Sequence, residues 1–178
     1  MREALSNAEV AEILSDATGR GGIERFAKAM FGAVWEEEDV TTDKNKEVMR
    51  RFVEFINTAS EKLAAELISP DAIFHVPGRS EPMRGPAGYL AIIGMMRGSF
   101  PDIQWTLEEM IAEGDKVAAR FIMRGRHRGT FFGVPPTGKP IEVQAMNFYR
   151  LSGGQFVEER GQPDMLGLVK QIGAVPTT

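Results

Sequence analysis

The chain has 178 residues, of which 43% are hydrophobic, and carries a formal net charge of −4. This length predicts one main domain with a substantial core. The acidic balance argues against nucleic acid as a partner, because no basic excess is available to neutralise phosphates. The absence of cysteine excludes disulfides, thiolate nucleophiles and cysteine-based metal sites. No apolar run approaches the ~18 residues of a membrane span, and the N-terminus lacks the apolar core of a signal peptide, so we expect a cytoplasmic protein without a membrane partner.

The first 42 residues are predicted to form a helical extension. Hydrophobic residues from Ile23 to Trp35 recur at spacings of three and four, which is typical of an amphipathic helix. Because such a stripe needs a partner surface, we interpret residues 1–42 as an extension packed on the main domain or on a second subunit. The main domain then spans residues 43–174, and residues 175–178 form a short tail.

The first half of the main domain is predicted to be mostly helical. Apolar residues between Val48 and Ile56 share one helix face, and a shorter helix follows and ends at Pro70. Residues 71–76 predict a short strand. Gly85 and Pro86 then begin another helix, because proline is favoured in the first helical turn.

The second half is predicted to be an antiparallel meander closed by a short helix. The residues of these strands alternate between apolar and polar with a period of two, and tight turns join them. A rigid loop rich in glycine and proline lies over 124–140. Helices first and antiparallel strands later predict an α+β fold, a cone-shaped barrel of strongly curved antiparallel sheet wrapped around N-terminal helices, with a small-molecule pocket at its mouth. The predicted strands are 103–112, 116–127, 141–151 and 155–162, and the predicted helix is 164–172.

Three segments of the main domain carry a family resemblance. They are F-P-D-I-Q-W-T-L-E-E-M-I-A-E-G-D-K-V-A-A-R at 100–120, R-G-R-H-R-G-T-F-F-G-V-P-P-T-G-K at 124–139, and G-G-Q-F-V-E-E-R-G-Q-P-D-M-L-G-L-V-K-Q-I-G at 153–173. Together they resemble the SnoaL-like polyketide cyclases of the nuclear-transport-factor-2-like superfamily, which have the α+β cone fold. The resemblance covers roughly residues 44–174 and leaves the N-terminal extension unexplained.

The resemblance implies an acid–base enzyme that needs no metal or organic cofactor. Such an enzyme cyclises a ketone-bearing aromatic or polycyclic small molecule by an intramolecular aldol reaction, or isomerises it, in an apolar pocket. The alternative is a non-catalytic module of the same superfamily that binds a small molecule or supports assembly. Hydrolysis or dehydration in the same pocket is a third option.

Two residues are the candidates for proton transfer. The resemblance matches Asp164 to the family's aspartate before the last helix, and desolvation in an apolar cavity would raise the pKa of such a base. The alternative is that Asp164 caps that helix, which would lower its pKa. His127 is expected either to take part in proton transfer or to hold the proline-rich loop by hydrogen bonds.

Further residues are candidates for contacting the substrate. Asn147 is a polar residue among apolar inward positions, so it is expected to bind either a substrate carbonyl or enolate or a neighbouring side chain. Many relatives have an aromatic residue where this chain has Arg160. Facing inward, Arg160 would favour an acidic or enolate ligand or pair with Asp164; facing outward, it would pair with Glu158 or a neighbouring strand. The full candidate set is His75, Trp105, Phe121, Asn147, Tyr149 and Arg160.

The expected partners are a hydrophobic, ketone-bearing small molecule and a second copy of the chain. The two histidines have no spacing typical of metal ligands, so no metal site is expected. An exposed apolar face of the curved sheet predicts a homodimer.

Overall fold

The structure, a computed structural model, describes residues 41–174. The predicted helical extension over 1–42, apart from its last two residues, and the tail over 175–178 lie outside the described residues. Within 41–174, no helix is long and apolar enough to cross a membrane.

The described part of the chain has four helices besides its sheet. Residues 41–58 are helical and are called α1 here. Ser60 accepts a hydrogen bond from the Leu63 amide and so caps the second helix at its N-terminus. The last helix ends at Gly173, whose φ of 84° is readily adopted only by glycine. The other helices are α2 (Glu61–Leu67), α3 (Gly85–Ser99) and α4 (Met165–Ile172).

The sheet has six strands in the order β2-β1-β6-β5-β4-β3. All neighbouring strands are antiparallel except β1 and β6, which are parallel. The predicted α+β class is confirmed, and the predicted strands agree with the observed ones to within a few residues. The parallel pairing of β1 with β6 was not predicted from the sequence. The strands are β1 (Ile68–His75), β2 (Met83–Arg84), β3 (Gln104–Glu113), β4 (Lys116–Arg126), β5 (Pro140–Ser152) and β6 (Gln155–Pro163).

The core lies between the inner face of this sheet and the helices. Along β5, buried residues such as Val143 and Tyr149 alternate with exposed ones such as Glu142 and Arg150, as a period of two requires. Phe52 of α1 packs against this face, with its ring centroid 4.4 Å from that of Phe156 and 5.5 Å from that of Tyr149. These contacts fill one part of the interior with aromatic rings.

A β-bulge in β6 determines which of its charged residues face inward. Leu151 is opposite Phe156, but Arg150 is opposite Glu158, so Val157 has no partner on β5. The extra residue reverses the alternation of faces. As a result Phe156 and Glu159 are both buried, although three positions separate them.

The loop between β4 and β5 is fixed by hydrogen bonds from its backbone. The amide of His127 donates to Lys139, and the amides of Arg128 and Gly129 donate to the carbonyl of Ser99. A side chain at position 129 would collide with the carbonyl oxygen of Gly98, so the loop approaches α3 more closely than any residue but glycine permits. This loop brings Phe131 to the wall of the cavity described next.

Candidate active site

A mostly apolar cavity of about 140 Å³ lies between α3 and the inner face of the sheet. Its apolar wall includes Ile92 and Met96 of α3, Trp105 of β3, and Phe121 and Met123 of β4. Methionine side chains are flexible, so a wall that contains them adapts to ligand shape. The polar residues that reach the cavity are His75, Tyr89, Asn147, Tyr149 and Glu159.

Glu159 is the acidic residue of this cavity, and only 8% of it is exposed. It lies directly opposite Tyr149 of β5 and, on its other side, opposite Phe74 of β1. The amide Nδ2 of Asn147 donates to Oε1 of Glu159 over 2.7 Å and approaches the hydroxyl of Tyr149 at 3.0 Å. The phenols of Tyr89 and Tyr149 face the same carboxylate and lower its pKa.

Burial dominates the ionisation of these groups. Desolvation raises the pKa of Glu159 to about 7, against the hydrogen bonds from Tyr89, Tyr149 and Asn147, which lower it. Burial and the charge of Glu159 raise the pKa of both tyrosines well above the ordinary value of 10.0. Near neutral pH the carboxyl group is therefore divided between its protonated and ionised forms, while both phenols remain protonated.

This arrangement has the parts that proton transfer next to a carbonyl group requires. A carboxylate with a pKa near neutrality is a suitable general base. Phenol hydroxyls in an apolar cavity stabilise the negative charge that develops on an enolate oxygen. In residues 41–174, no group of three or more His, Asp or Glu side chains is placed to hold a metal ion.

Comparison with known proteins identifies the family. A family model described as SnoaL-like polyketide cyclase matches residues 46–172. The chain belongs to this family. Among curated relatives of this SnoaL-like protein, the aklanonic acid methyl ester cyclase DnrD of Streptomyces peucetius is 31% identical over 134 residues, which cover 71% of this chain and 89% of the relative. The nogalonic acid methyl ester cyclase of Streptomyces nogalater is 28% identical over 123 residues, which cover 68% of this chain and 91% of the relative.

Solved structures show the same fold. Wild-type IdmH from Streptomyces antibioticus superposes with a TM-score of 0.66 at 32% identity and covers 72% of this chain and 98% of its own. A SnoaL-like polyketide cyclase structure from Jannaschia sp. CCS1 has a TM-score of 0.67 at 26% identity, over 76% of this chain and 96% of that one. The predicted SnoaL-like fold is thereby confirmed.

Most of the residues expected to contact substrate do reach the cavity of this SnoaL-like protein. Trp105, Phe121, Asn147 and Tyr149 are on its wall. His75 borders the cavity, but it lies opposite the outward-facing Arg160 in the pairing of β1 with β6. The Nε2 atom of His75 lies 3.7 Å from Oε1 of Glu158 at the half-exposed edge of the site. Contact of these residues with a substrate remains a prediction.

Asp164 does not line the cavity, which corrects the expected position of this residue. It is exposed, and its Oδ1 accepts a hydrogen bond of 2.7 Å from the Gly167 amide. Its side chain thus caps α4. Of the alternatives that the sequence offered, the geometry matches the cap.

His127 also lies outside the wall of the cavity. It is fully buried, its Nδ1 is 3.0 Å from the hydroxyl of Thr137, and its ring centroid is 5.4 Å from that of Phe100. Its Nε2 is buried and has no hydrogen-bond partner among the described residues. This geometry matches the expected role of holding the proline-rich loop, and a role of His127 in proton transfer stays a prediction.

Arg160 faces outward. Two thirds of its side chain is exposed, and its guanidinium is 3.0 Å from Oε1 of Glu158. The alternative that Arg160 faces inward, where it would bind an acidic ligand or pair with Asp164, is therefore wrong. The bulge at Val157 causes this, because it places the residues on either side of Glu159 on the outer face.

Two residues of the site, Glu159 and Tyr89, were not among the predicted ones. The sequence contained a signal for Glu159: Asn147 and Tyr149 share an inward face, and the paired strand carries two consecutive glutamates, of which one must face them. The choice between Glu158 and Glu159 required the bulge. Tyr89 lies within an apolar helical stripe and looks in the sequence like an ordinary core residue. Its role in the site depends on its proximity to Glu159, which only the structure shows.

Proposed function

We propose that this SnoaL-like protein is a cyclase in which Glu159 is the proton acceptor of an intramolecular aldol reaction. The observation that carries the proposal is the carboxyl group of Glu159, which is buried in an apolar cavity and has a pKa of about 7. A surface carboxylate with an ordinary pKa near 4.3 is a much weaker base.

The proposed reaction begins when Glu159 removes a proton from a carbon next to a carbonyl group. The resulting enolate oxygen accepts hydrogen bonds from the phenols of Tyr89 and Tyr149. The carbon then attacks a second carbonyl of the same molecule, and the new alkoxide recovers the proton from Glu159. One C–H bond and the π bond of the attacked carbonyl break, one C–C bond and one O–H bond form, and no oxidant, reductant or leaving group is needed.

The substrate we propose is an uncharged aromatic or polycyclic ketone. Within residues 41–174, neither lysine nor arginine lines the cavity, and the ionised group there is the anionic Glu159. A free carboxylate next to Glu159 would be repelled, and its burial without a partner is costly. The curated relatives are named as cyclases of acid methyl esters, in which the acid is masked.

The alternative function is binding of such a molecule without turnover. It is favoured by the fact that Asn147 already donates to Glu159 and that Tyr89 and Tyr149 face the same carboxylate, since a carboxylate surrounded in this way can be purely structural. The two functions differ in whether a proton leaves the bound ketone.

Exchange of that proton for deuterium tests the proposal directly. We would incubate the full-length protein in D₂O with a set of neutral aryl ketones, including aklanonic acid methyl ester, and follow deuterium uptake by mass spectrometry. Glu159→Gln is expected to lower the catalysed exchange rate by about 10²–10⁴-fold, because it removes the general base.

The matched control is Glu158→Gln, which changes the neighbouring residue on the outer face, where it pairs with Arg150 and Arg160. This control is expected to keep the wild-type rate. If the Glu159→Gln variant exchanges the proton at the wild-type rate, Glu159 is not the base. Saturable ligand binding without any exchange would support the binding alternative.

A further inference from the structure

Asn147 and Gly161 are direct partners across β5 and β6, at the point where both strands reach the cavity. A Cβ atom at position 161 would lie 3.2 Å from Oδ1 and 3.3 Å from both Cγ and Nδ2 of Asn147. The amide group therefore rests against the bare backbone of Gly161. Gly161 is not among the glycines with positive φ, so its backbone conformation does not require glycine.

The hydrogen bonds of Asn147 also fix which way its amide group is turned. Its Nδ2 donates to Glu159 and approaches the hydroxyl of Tyr149, whereas its Oδ1 is buried without a hydrogen-bond partner among the described residues. Turning the amide over would bring Oδ1 against an ionised carboxylate. The bonds to Glu159 and Tyr149 thus fix the orientation, and the missing side chain at position 161 leaves the space.

We propose that Gly161 is a positioning residue, whose lack of a side chain allows the amide of Asn147 to reach the carboxylate of Glu159. The catalytic consequence of this inference rests on the proposed role of Glu159 as the base. The geometric part does not, because it concerns only the contact between the two strands.

The surroundings of Glu159 make this contact measurable. From α3 it faces Tyr89, from β5 Tyr149 and Asn147, and from β1 the apolar ring of Phe74. The charged neighbours on its own strand, Glu158 and Arg160, pair with each other on the outer face, and His75 contacts Glu158. Loss of the Asn147 donor is therefore expected to destabilise the carboxylate form and raise its titration midpoint.

The titration of Glu159 is the test, measured by ¹³C NMR on protein labelled in the glutamate carboxyl groups. The spectrum of Glu159→Gln assigns the signal. Asn147→Ala and Gly161→Ala are each expected to raise the midpoint by about one pH unit, the size of effect typical of one lost charge-assisted hydrogen bond. The double variant is expected to shift no further, because both changes remove the same contact.

The matched control is Gly125→Ala, which adds a methyl group to a strand glycine elsewhere in the sheet. A Cβ there would lie 3.1 Å from Ile103 and 3.3 Å from Asp102, so it is crowded to a similar degree. It is expected to leave the Glu159 midpoint unchanged. An unchanged midpoint in Gly161→Ala, or shifts that add in the double variant, would overturn the proposal.

Folding failure of Gly161→Ala is also informative, because the double variant removes the amide that the new methyl group meets. Thermal unfolding should then show that Asn147→Ala restores stability in the Gly161→Ala background. If the double variant is as unstable as Gly161→Ala alone, the new methyl group does not clash with the Asn147 amide, and the inference is overturned. None of these measurements needs turnover, so a positioning effect without proton exchange would leave the inference standing and reject the proposed function.

Discussion

Tyr149 and Glu159 lie directly opposite each other on β5 and β6, and both are buried on the inner face of the sheet. Burial and, after it, the charge of Glu159 raise the pKa of Tyr149, so the pair holds at most one negative charge at physiological pH. The carboxyl group takes that charge because its pKa, about 7, is far lower. The pair therefore combines a titrating acid–base group with a phenol that stays protonated.

The rate of proton exchange is predicted to depend on pH through Glu159. Because a general base must be ionised, the rate should rise with pH, reach half its plateau at about pH 7, and then level off. A pH–rate profile at low ketone concentration reports the free protein. Glu158→Gln should preserve the inflection, and a wild-type profile that is flat between pH 5 and 9 would contradict the prediction.

The stability of the protein is predicted to fall as pH rises through the same range. The pKa of Glu159 is about 7 in the folded protein and close to the ordinary 4.5 when unfolded, so the folded state binds the proton more tightly. Stability from this group is fully present below about pH 4.5 and is lost by about pH 7. The difference in pKa corresponds to about 3 kcal/mol.

Urea unfolding at several pH values measures this effect when wild type is compared with Glu159→Gln. The difference in free energy of unfolding between the two proteins should shift in favour of the variant as pH rises from 5 to 8. Glu158 serves as the opposite case: desolvation raises its pKa, but hydrogen bonds from Arg150 and Arg160 outweigh this and lower it overall. A difference that does not change with pH would show that Glu159 is not buried as described.

The inner face of the sheet could be predicted because it depends only on local alternation. The period of two along β4 and β5 identified Phe121, Asn147 and Tyr149 as inward residues without knowledge of the neighbouring strands. The parallel pairing of β1 with β6 was missed, since it joins strands about 80 residues apart and has no local signal. The two-residue strand β2 was too short to show a pattern.

The acid of the site was missed for a different physical reason. Simple alternation from the buried Phe156 would place Glu158 and Arg160 inward. The extra residue Val157 shifts the alternation by one, so that Glu159 faces inward and both neighbours face outward. No composition rule marks that bulge, because valine is an ordinary strand residue. Asp164 was predicted as the base instead, because an aspartate before a helix fits the family motif as well as a helix cap.

Substitution of Asp164 separates these roles. Asp164→Ala should destabilise the protein by about 1 kcal/mol through loss of the α4 cap. Asp164→Asn should cost little, because asparagine caps helices as well as aspartate does. Both variants are expected to keep the deuterium-exchange rate of the wild type, and the comparison is made at a temperature where all are folded. Loss of exchange in Asp164→Asn, with activity retained in Glu159→Gln, would return the base to Asp164.

The outer face of the sheet leads to a prediction about assembly. Ile111, Ala118 and Phe148 form one row across β3, β4 and β5, and Met146 is exposed beside it. The exposed fractions are 66% for Ile111, 57% for Met146 and 63% for Phe148. Since exposed apolar residues on neighbouring strands favour association, we propose that this face joins two copies of the chain.

Phe148→Glu tests that proposal, because a two-fold interface would bring the new carboxylates of both copies into the same apolar patch. Sedimentation velocity is expected to show a dimer for the wild type and a monomer for the variant at the same concentration. Leu166→Glu is the control: it charges a residue of α4 that is similarly exposed, at 59%, and it should leave the dimer intact. A monomeric wild type would show that the proposed interface does not exist. A dimer that is lost only in Leu166→Glu would place the interface near α4.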